Sequence, residues 1–338
     1  MKKTFRKIIS AVLALTMVLA VMSTSAFAAT GGVKHYKAVT SLGDSIAVGF
    51  SMPDYATKSG DKFVLNKVPI DGSYPLLVSQ AVGAERFHPL AQCGYRTVEL
   101  RMALDPAYEG DIVAKRWQAR LSNAPEYTYE YLRGQYPEYE EAIKDSDLVL
   151  LDIGFNDTWL TVLGTLVNII EETPNTESTM ETLDDAVEHL GSIENVFNYV
   201  MFKVQQTPSY IDSLSKALMN EVTLQEITEN YDAIVKRIYA INPKTTIVAV
   251  SSFNPYRDWT DVPGLAQVTQ KLLYDRINAL KASYADPYGS QYIYVNAPDV
   301  EARTRKGMDA LRGGWDPHPT EAGHQYIANQ IIAALPRA

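Results

Sequence analysis

The chain has one cysteine, Cys93, in 338 residues. A single thiol forms no internal disulfide and builds no cysteine-based zinc site. The fold must therefore be held by packing. Basic charge is also short, with 31 Lys and Arg against 40 Asp and Glu, a formal net charge of −9. That balance argues against a nucleic-acid partner, which needs cationic surface to offset phosphates. Histidine is scarce: His35, His88, His189, His318 and His324 are the five copies. After Met22 no apolar run is long enough to span a bilayer.

The exception to that last absence is the N-terminus. Lys2, Lys3, Arg6 and Lys7 form a basic segment, Ile8 to Met22 an apolar one, and Ala26-Phe27-Ala28 a small-x-small site. This is the pattern of a secretory signal peptide, residues 1–28, with cleavage expected after Ala28. A secreted, extracellular protein with no stable membrane span after cleavage is expected. Losing four basic residues would take the net charge to −13. About 310 residues would remain, enough for one α/β domain with additions, 29–338.

Strand-length apolar runs alternate with helical patterns. The expected strands are Tyr36 to Leu42, Arg86 to Ala91, Leu148 to Gly154, Thr245 to Ser251 and Tyr292 to Val295. The third is apolar on both faces and the fourth is rich in β-branched residues, as buried parallel strands are. Helical periodicity covers Ser73 to Val82, Leu224 to Ala240, Val268 to Tyr284 and Thr320 to Leu335. The alternation argues for a parallel sheet with helices on both faces. Two stretches exceed a minimal five-strand unit, at about 107–147 and 158–221, and read as insertions near the edge where open α/β sheets bind ligands.

SLGDSIAVGF, residues 41 to 50, is a strand end entering a tight polar turn. Ser45 there is either a helix cap or a nucleophile, and a nucleophilic Ser needs a nearby base. His318 is the best candidate. It sits in Trp315-Asp316-Pro317-His318-Pro319-Thr320, a stiff segment before the last helix, with Thr320 as N-cap. The other histidines have plainer readings, with His324 expected at solvent or a helix terminus. Acyl transfer also needs donors for an oxyanion. Gly94 can bring a backbone N–H close to a ligand, Asn156 can offer its side-chain NH₂, and the Ser45 N–H is a third. Each also has a turn or cap reading.

Four blocks in order, Gly43-Asp44-Ser45, Gly94 with Thr97 and Leu100, Gly154-Phe155-Asn156-Asp157, and Asp316-Pro317-His318-Pro319, resemble those of the SGNH hydrolases, the GDSL-type esterases and lipases. The resemblance spans residues 38 to 335. It implies a three-layer α/β/α, flavodoxin-like sandwich on a five-stranded parallel sheet, with no metal or organic cofactor. It implies Ser45 as nucleophile, His318 as general base and then acid, and Ser45, Gly94 and Asn156 as the oxyanion hole. Asp44, Gly154 and Asp157 would shape the loops. The chain departs from the pattern at the acid. The family places it three residues before the His, which here is Trp315; Asp316 lies two before. Either Asp316 or the Trp315 carbonyl would orient His318, with Asp316 favoured.

The expected activity is hydrolysis of carboxylic esters, of small molecules or of glycans. The alternatives are a carbohydrate O-acetyl esterase on the same residues and a catalytically inactive binding protein on the same scaffold. A metallohydrolase built from Asp44, Asp157, Asp316 and His318 has too few ligands. Two hints about substrate conflict. Trp159 to Ile170 is apolar on most faces, either a buried helix or the wall of an acyl pocket. Tyr127, Tyr129, Tyr131, Tyr136 and Tyr139 are either the packed face of an amphipathic segment or a platform for sugars.

Overall fold

The runs rich in Val, Ile and Leu form the middle of a five-stranded parallel sheet: β1 (Ala38–Gly43), β2 (Arg86–Pro89), β3 (Leu148–Asp152), β4 (Thr246–Val250) and β5 (Tyr292–Val295). This computed structural model describes residues 32–59, 67–110, 128–171, 183–191, 193–219, 222–259, 262, 264–303 and 316–338. The strand order is β2-β1-β3-β4-β5, all parallel. β1, β3 and β4 are buried along their whole length, while the two edge strands, β2 and to a lesser degree β5, are partly exposed. The order reverses between β1 and β3, so the crevice that such a sheet opens at its carboxyl edge lies between these two strands.

Fifteen α-helical segments are described. The first eight in chain order are α1 (Ser45–Val48), α2 (Pro53–Ser59), α3 (Tyr74–Ala81), α4 (Thr97–Leu104), α5 (Tyr129–Gly134), α6 (Tyr136–Asp145), α7 (Phe155–Glu171) and α8 (Leu183–Leu190). They continue with α9 (Ile193–Gln206), α10 (Ser209–Leu218), α11 (Val222–Ile241), α12 (Leu265–Thr269), α13 (Asp275–Ser283), α14 (Ala285–Tyr288) and α15 (Glu321–Ala334). One face of the sheet is covered by α4, α6 and α11, whose Leu100, Ile143 and Ile234 meet Leu42, Val149 and Ile247. α3 and α15 pack on each other on the other face. The helix expected from Val268 to Tyr284 is present as the continuous run of α12, a π turn at Gln270–Tyr274, and α13. Among the described residues no helix is long and apolar enough to cross a membrane. Residues 36–334 form one unit. In the other, which joins the two termini, Lys34 N–H donates to the Pro336 carbonyl and Ala338 N–H to the Gly32 carbonyl.

The two additional stretches have different fates. Residues 111–127, Tyr127 among them, lie outside the described set. α6 is a covering helix of the sandwich and not a wall of the site: Tyr139 is fully buried and donates its hydroxyl to the Leu90 carbonyl. Tyr129 packs on the same core, and the Tyr136 hydroxyl bonds Glu140 and Arg237. Packing thus occupies three of the tyrosines considered for sugar stacking. The second stretch is helical. α7 is apolar on most faces because α8, α9 and α10 pack against it, leaving Thr161, Thr165 and Asn168 towards solvent; Val162, Leu163, Leu166 and Ile170 have no exposed surface. Protein side chains fill the space around that run, which is the buried-helix reading.

His324 departs from expectation. It is fully buried on α15, stacked on Tyr74 with ring centroids 6.1 Å apart, and its Nδ1 accepts the Tyr74 N–H at 3.4 Å. The helical period placed it three residues before Ile327 and four before Ala328, both core positions, so its burial was readable. Burial, then the charges of His318 and Arg303, push its pKa from 6.5 to about 3. Between those values the unfolded chain binds a proton at this ring and the folded chain does not. Its stabilising contribution is complete above pH 6.5 and falls as pH drops towards 3, by about 1.4 kcal/mol per pH unit. Urea unfolding of wild type and His324→Leu between about pH 4 and 7 should give curves of ΔG against pH that converge on the acid side by that slope. Parallel curves would refute the assignment.

Candidate active site

β1 ends on Gly43, which pairs in register with Asp152 at the end of β3. A Cβ on Gly43 would lie 2.1 Å from the Asp152 carbonyl oxygen, so only glycine fits there. The chain then turns. Asp44 N–H donates to that same carbonyl at 3.3 Å, and Asp44 Oδ1 accepts from Ile46 N–H at 3.0 Å, capping α1. Ser45 is the first residue of α1, where a backbone N–H has no acceptor within the helix. The Gly49 N–H and Phe50 N–H close the turn on the Ser45 carbonyl.

The Ser45 hydroxyl meets an imidazole brought from the other end of the chain. Ser45 Oγ lies 2.8 Å from His318 Nε2, and His318 Nδ1 lies 2.7 Å from Asp316 Oδ1. The same Asp316 oxygen accepts the His318 backbone N–H at 3.0 Å. This turn of three residues brings an acid only two positions before the His onto its ring. The loop is anchored outside the turn: Arg303 N–H donates to the His318 carbonyl at 2.8 Å, and Thr320 Oγ1 caps α15 at Gly323 N–H. Phe50 packs against the imidazole with centroids 4.6 Å apart. Trp315, whose carbonyl was the alternative partner, lies outside the described residues.

Burial alone would raise Asp316, but its hydrogen bonds to the His318 ring and backbone and to the Ser51 side chain, with the field of the imidazole, hold its pKa below the ordinary carboxylate range. An ionised Asp316 accepts from Nδ1–H, which leaves Nε2 free to accept the Ser45 proton. Ser51 sits at φ +66°, a conformation non-glycine residues adopt at a cost. Neither Phe50 nor Ser51 was singled out from the sequence, although both directly follow the Ser45 turn.

Asn156 and Gly94 flank this pair. β3 leads through Gly154, at φ +109°, where a Cβ would press on Ile277 at 2.7 Å. Asn156 then falls in the first turn of α7. Its Oδ1 accepts from Trp159 Nε1 at 3.0 Å, which fixes the amide orientation. Its Nδ2 donates to the Tyr95 carbonyl at 2.9 Å, using one of two hydrogens. Gly94, at φ +74°, precedes Tyr95 in the loop after β2. Asp157 accepts from both the Thr97 N–H at 2.9 Å and the Thr97 hydroxyl at 2.7 Å. These three bonds tie the loop after β2 to the start of α7. Asp157 itself is pushed up to about 6 by burial, against the pull of Thr97.

Ser45, Gly94 and Asn156 therefore stand at the carboxyl ends of three adjacent strands, with His318 and Asp316 against the first. A hydroxyl, a base that can take its proton, and an acid behind the base form the arrangement needed for nucleophilic attack on a carbonyl. Gly43→Ala should break it from below. Separating β1 from β3 by the missing space is expected to cost more than about 3 kcal/mol, read as a drop in the urea midpoint together with lost esterase activity. A midpoint within error of wild type would show that the two strands can part without harm.

The GDSL-like Lipase/Acylhydrolase family model matches residues 41–326. No curated protein matches the chain. Among solved structures, an extracellular lipase from Streptomyces rimosus is similar at 17% identity, over 88% of this chain and 99% of that one, with TM-score 0.45. Phospholipase A1 from Streptomyces albidoflavus NA297 is similar at 14% identity, over 90% and 100%, with TM-score 0.48. A carbohydrate esterase family 2 enzyme with a carbohydrate binding domain, from Corynascus thermopiles, is similar at 15% identity, over 88% and 65%, with TM-score 0.40.

Proposed function

We propose, from the premise that the chain belongs to the GDSL-like lipase/acylhydrolase family, that it is a secreted serine esterase working through an acyl-enzyme on Ser45. Family membership makes it a carboxylic ester hydrolase. The observation that carries the mechanism is the line from Ser45 Oγ to His318 Nε2, at 2.8 Å, and from His318 Nδ1 to Asp316 Oδ1, at 2.7 Å. Ser45 Oγ attacks the ester carbonyl as His318 Nε2 takes its proton. The negative charge on the carbonyl oxygen is met by the N–H groups of Ser45 and Gly94 and by the second Nδ2 hydrogen of Asn156. The imidazolium, steadied by Asp316, returns the proton to the leaving alcohol. Water then repeats the sequence on the acyl-enzyme and frees the acid. No step calls for a metal. The basic, apolar and small-x-small segments of residues 1–28 support export.

A polar leaving group suits the surroundings better than a lipid one. A cavity of about 340 Å³ at the carboxyl ends of β4 and β5 is lined by Phe253, Asn254, Arg257, Trp259, Asp299 and Glu301, among others. Its wall adjoins the site on two sides. Phe253 packs on Phe155 beside Asn156, with centroids 5.3 Å apart, and Ala302 bridges Pro319 beside His318. Esters of hydroxyl-rich alcohols, including O-acetylated sugars, match that lining.

Hydrolysis of p-nitrophenyl acetate, butyrate and palmitate by the mature chain tests the reading. Ser45→Ala should lose at least about 10³-fold in kcat. Retained turnover in that variant would remove Ser45 from the chemistry. Asp316→Ala should cost on the order of 10³-fold in kcat/KM, because it removes both the orientation of His318 and the charge behind it. A loss below about tenfold would mean that another acceptor orients the ring.

A further inference from the structure

Asn156 enters the mechanism through a single hydrogen. Its side-chain nitrogen carries two; one is held by the Tyr95 carbonyl at 2.9 Å, and the other is the one assigned to the oxyanion. The direction of that second hydrogen is set by the plane of the amide. A planar group pinned at one point can still swing about it, whereas two pins at opposite ends fix the plane. The first pin is firm. The peptide between Tyr95 and Arg96 is itself held at both ends: its carbonyl accepts from Asn156, and its N–H donates to Glu99 Oε2 at 2.9 Å. The second pin is Trp159, whose Nε1–H donates to Asn156 Oδ1 at 3.0 Å. Trp159 lies three residues on in α7, and a long helical side chain leans back over the turn before it, which carries the indole to Asn156. The two partners demand the same orientation. Exchanging oxygen and nitrogen would set N–H against N–H at Trp159 and oxygen against oxygen at Tyr95.

Both side chains are buried, Asn156 at 4% exposed and Trp159 at 6%, so water is a poor substitute for the indole. Among the described residues nothing else donates to Asn156 Oδ1. Without the N–H, that oxygen carries the cost of its lost hydration with nothing in return. The amide then gains by turning the oxygen towards the open side of the site, where water can meet it. That turn aims an acceptor at the place where negative charge forms. Packing alone does not call for the hydrogen, since a Phe ring would also fill a buried helix face.

We propose that Trp159 is a positioning residue for the ester hydrolysis assigned above: its indole N–H locks the plane of the Asn156 amide and so aims the free Nδ2 hydrogen at the oxyanion. This rests on the reading of Asn156 as an oxyanion donor. Through Tyr95, the residue after Gly94, the same lock reaches the loop that carries a second donor.

The test is a double-mutant cycle on p-nitrophenyl acetate hydrolysis with wild type, Trp159→Phe, Asn156→Ala and the two combined, each shown to be folded by its urea midpoint. Asn156→Ala is expected to lose about 10²- to 10³-fold in kcat, the usual effect of removing one oxyanion donor. Trp159→Phe should lose about tenfold or more, in kcat and kcat/KM alike, because the interaction it supports is made only in the transition state. In the Asn156→Ala background, Trp159→Phe should change kcat by less than about twofold, since it acts through that amide. Inhibition by an alkyl trifluoromethyl ketone reads the same point directly. Ser45 Oγ adds to the ketone carbon, its proton passes to His318, and the carbonyl oxygen becomes the oxyanion; Trp159→Phe should weaken this inhibition by about the factor lost in kcat/KM. Wild-type kcat in Trp159→Phe, or an equal loss with and without Asn156, would overturn the proposal. Should Trp159→Phe not fold, β-(3-benzothienyl)alanine at position 159 keeps the ring shape and drops only the N–H, and the same outcomes decide. A failure to fold with that side chain as well assigns the N–H to the fold and overturns the proposal. Wild-type activity in Asn156→Ala would instead overturn the oxyanion reading on which the proposal rests.

Discussion

The contact between Gly43 and the Asp152 carbonyl is the constraint on which the site depends. Ser45 lies two residues beyond the end of β1 and Asn156 four beyond the end of β3. Their separation is therefore set by how closely those two strands approach at their ends. With a Cβ at Gly43 only 2.1 Å from the carbonyl oxygen, the strands have no slack. The Asp44 N–H then uses the same carbonyl, so the peptide that enters the Ser45 turn is tied to the strand that presents Asn156. Ser45 and Asn156, on two neighbouring strands, are thereby held as one rigid object, the arrangement that preorganised charge stabilisation would require in the proposed mechanism.

His318 is held by a different logic. It comes from a segment 273 residues away in sequence, so no strand register locates it. The loop is instead pinned at several points, by Arg303 and Thr320 from outside and by Phe50 against the ring. Within it, one Asp316 oxygen accepts both the backbone N–H and Nδ1 of the same residue. That double use explains how a spacing of two works. The bond to the backbone folds the three residues into a turn, and the turn carries the carboxylate to the imidazole. A spacing of three would reach the ring with a more open loop.

Much of this was legible in the sequence, and the parts that were not share a cause. Leu148 to Asp152 and Thr246 to Val250 are apolar on both faces, which only a doubly covered parallel strand requires, so the sheet could be read directly. The small and polar residues at the strand ends, Ser45, Gly94 and Asn156, marked the edge that carries the chemistry. Periodicity found the helical run from Val268 to Tyr284 but not the π turn at Gln270–Tyr274 inside it, because such a turn shifts the phase by one residue while leaving the apolar pattern nearly intact. Asp152 was passed over because a charged residue at strand spacing reads as solvated until the element facing it is known.

The site also separates its carboxyl groups into two kinds. Asp316 is partly exposed, bonded to a ring that can carry positive charge, and its pKa lies below the ordinary range. Asp44 and Asp152 are sealed below the turns and Asp157 is half-buried beside Thr97, and burial drives each of them up. The difference follows from what each group faces. A carboxylate behind a general base must be charged at the moment the base becomes an imidazolium, so it needs water and a cation nearby. A carboxyl group that only joins backbone segments works best with little net charge, since an uncompensated anion there would cost more than its hydrogen bonds return. The same residue type thus serves as electrostatic partner above the sheet edge and as framework below it. What assigns the role is the depth at which each strand end leaves it.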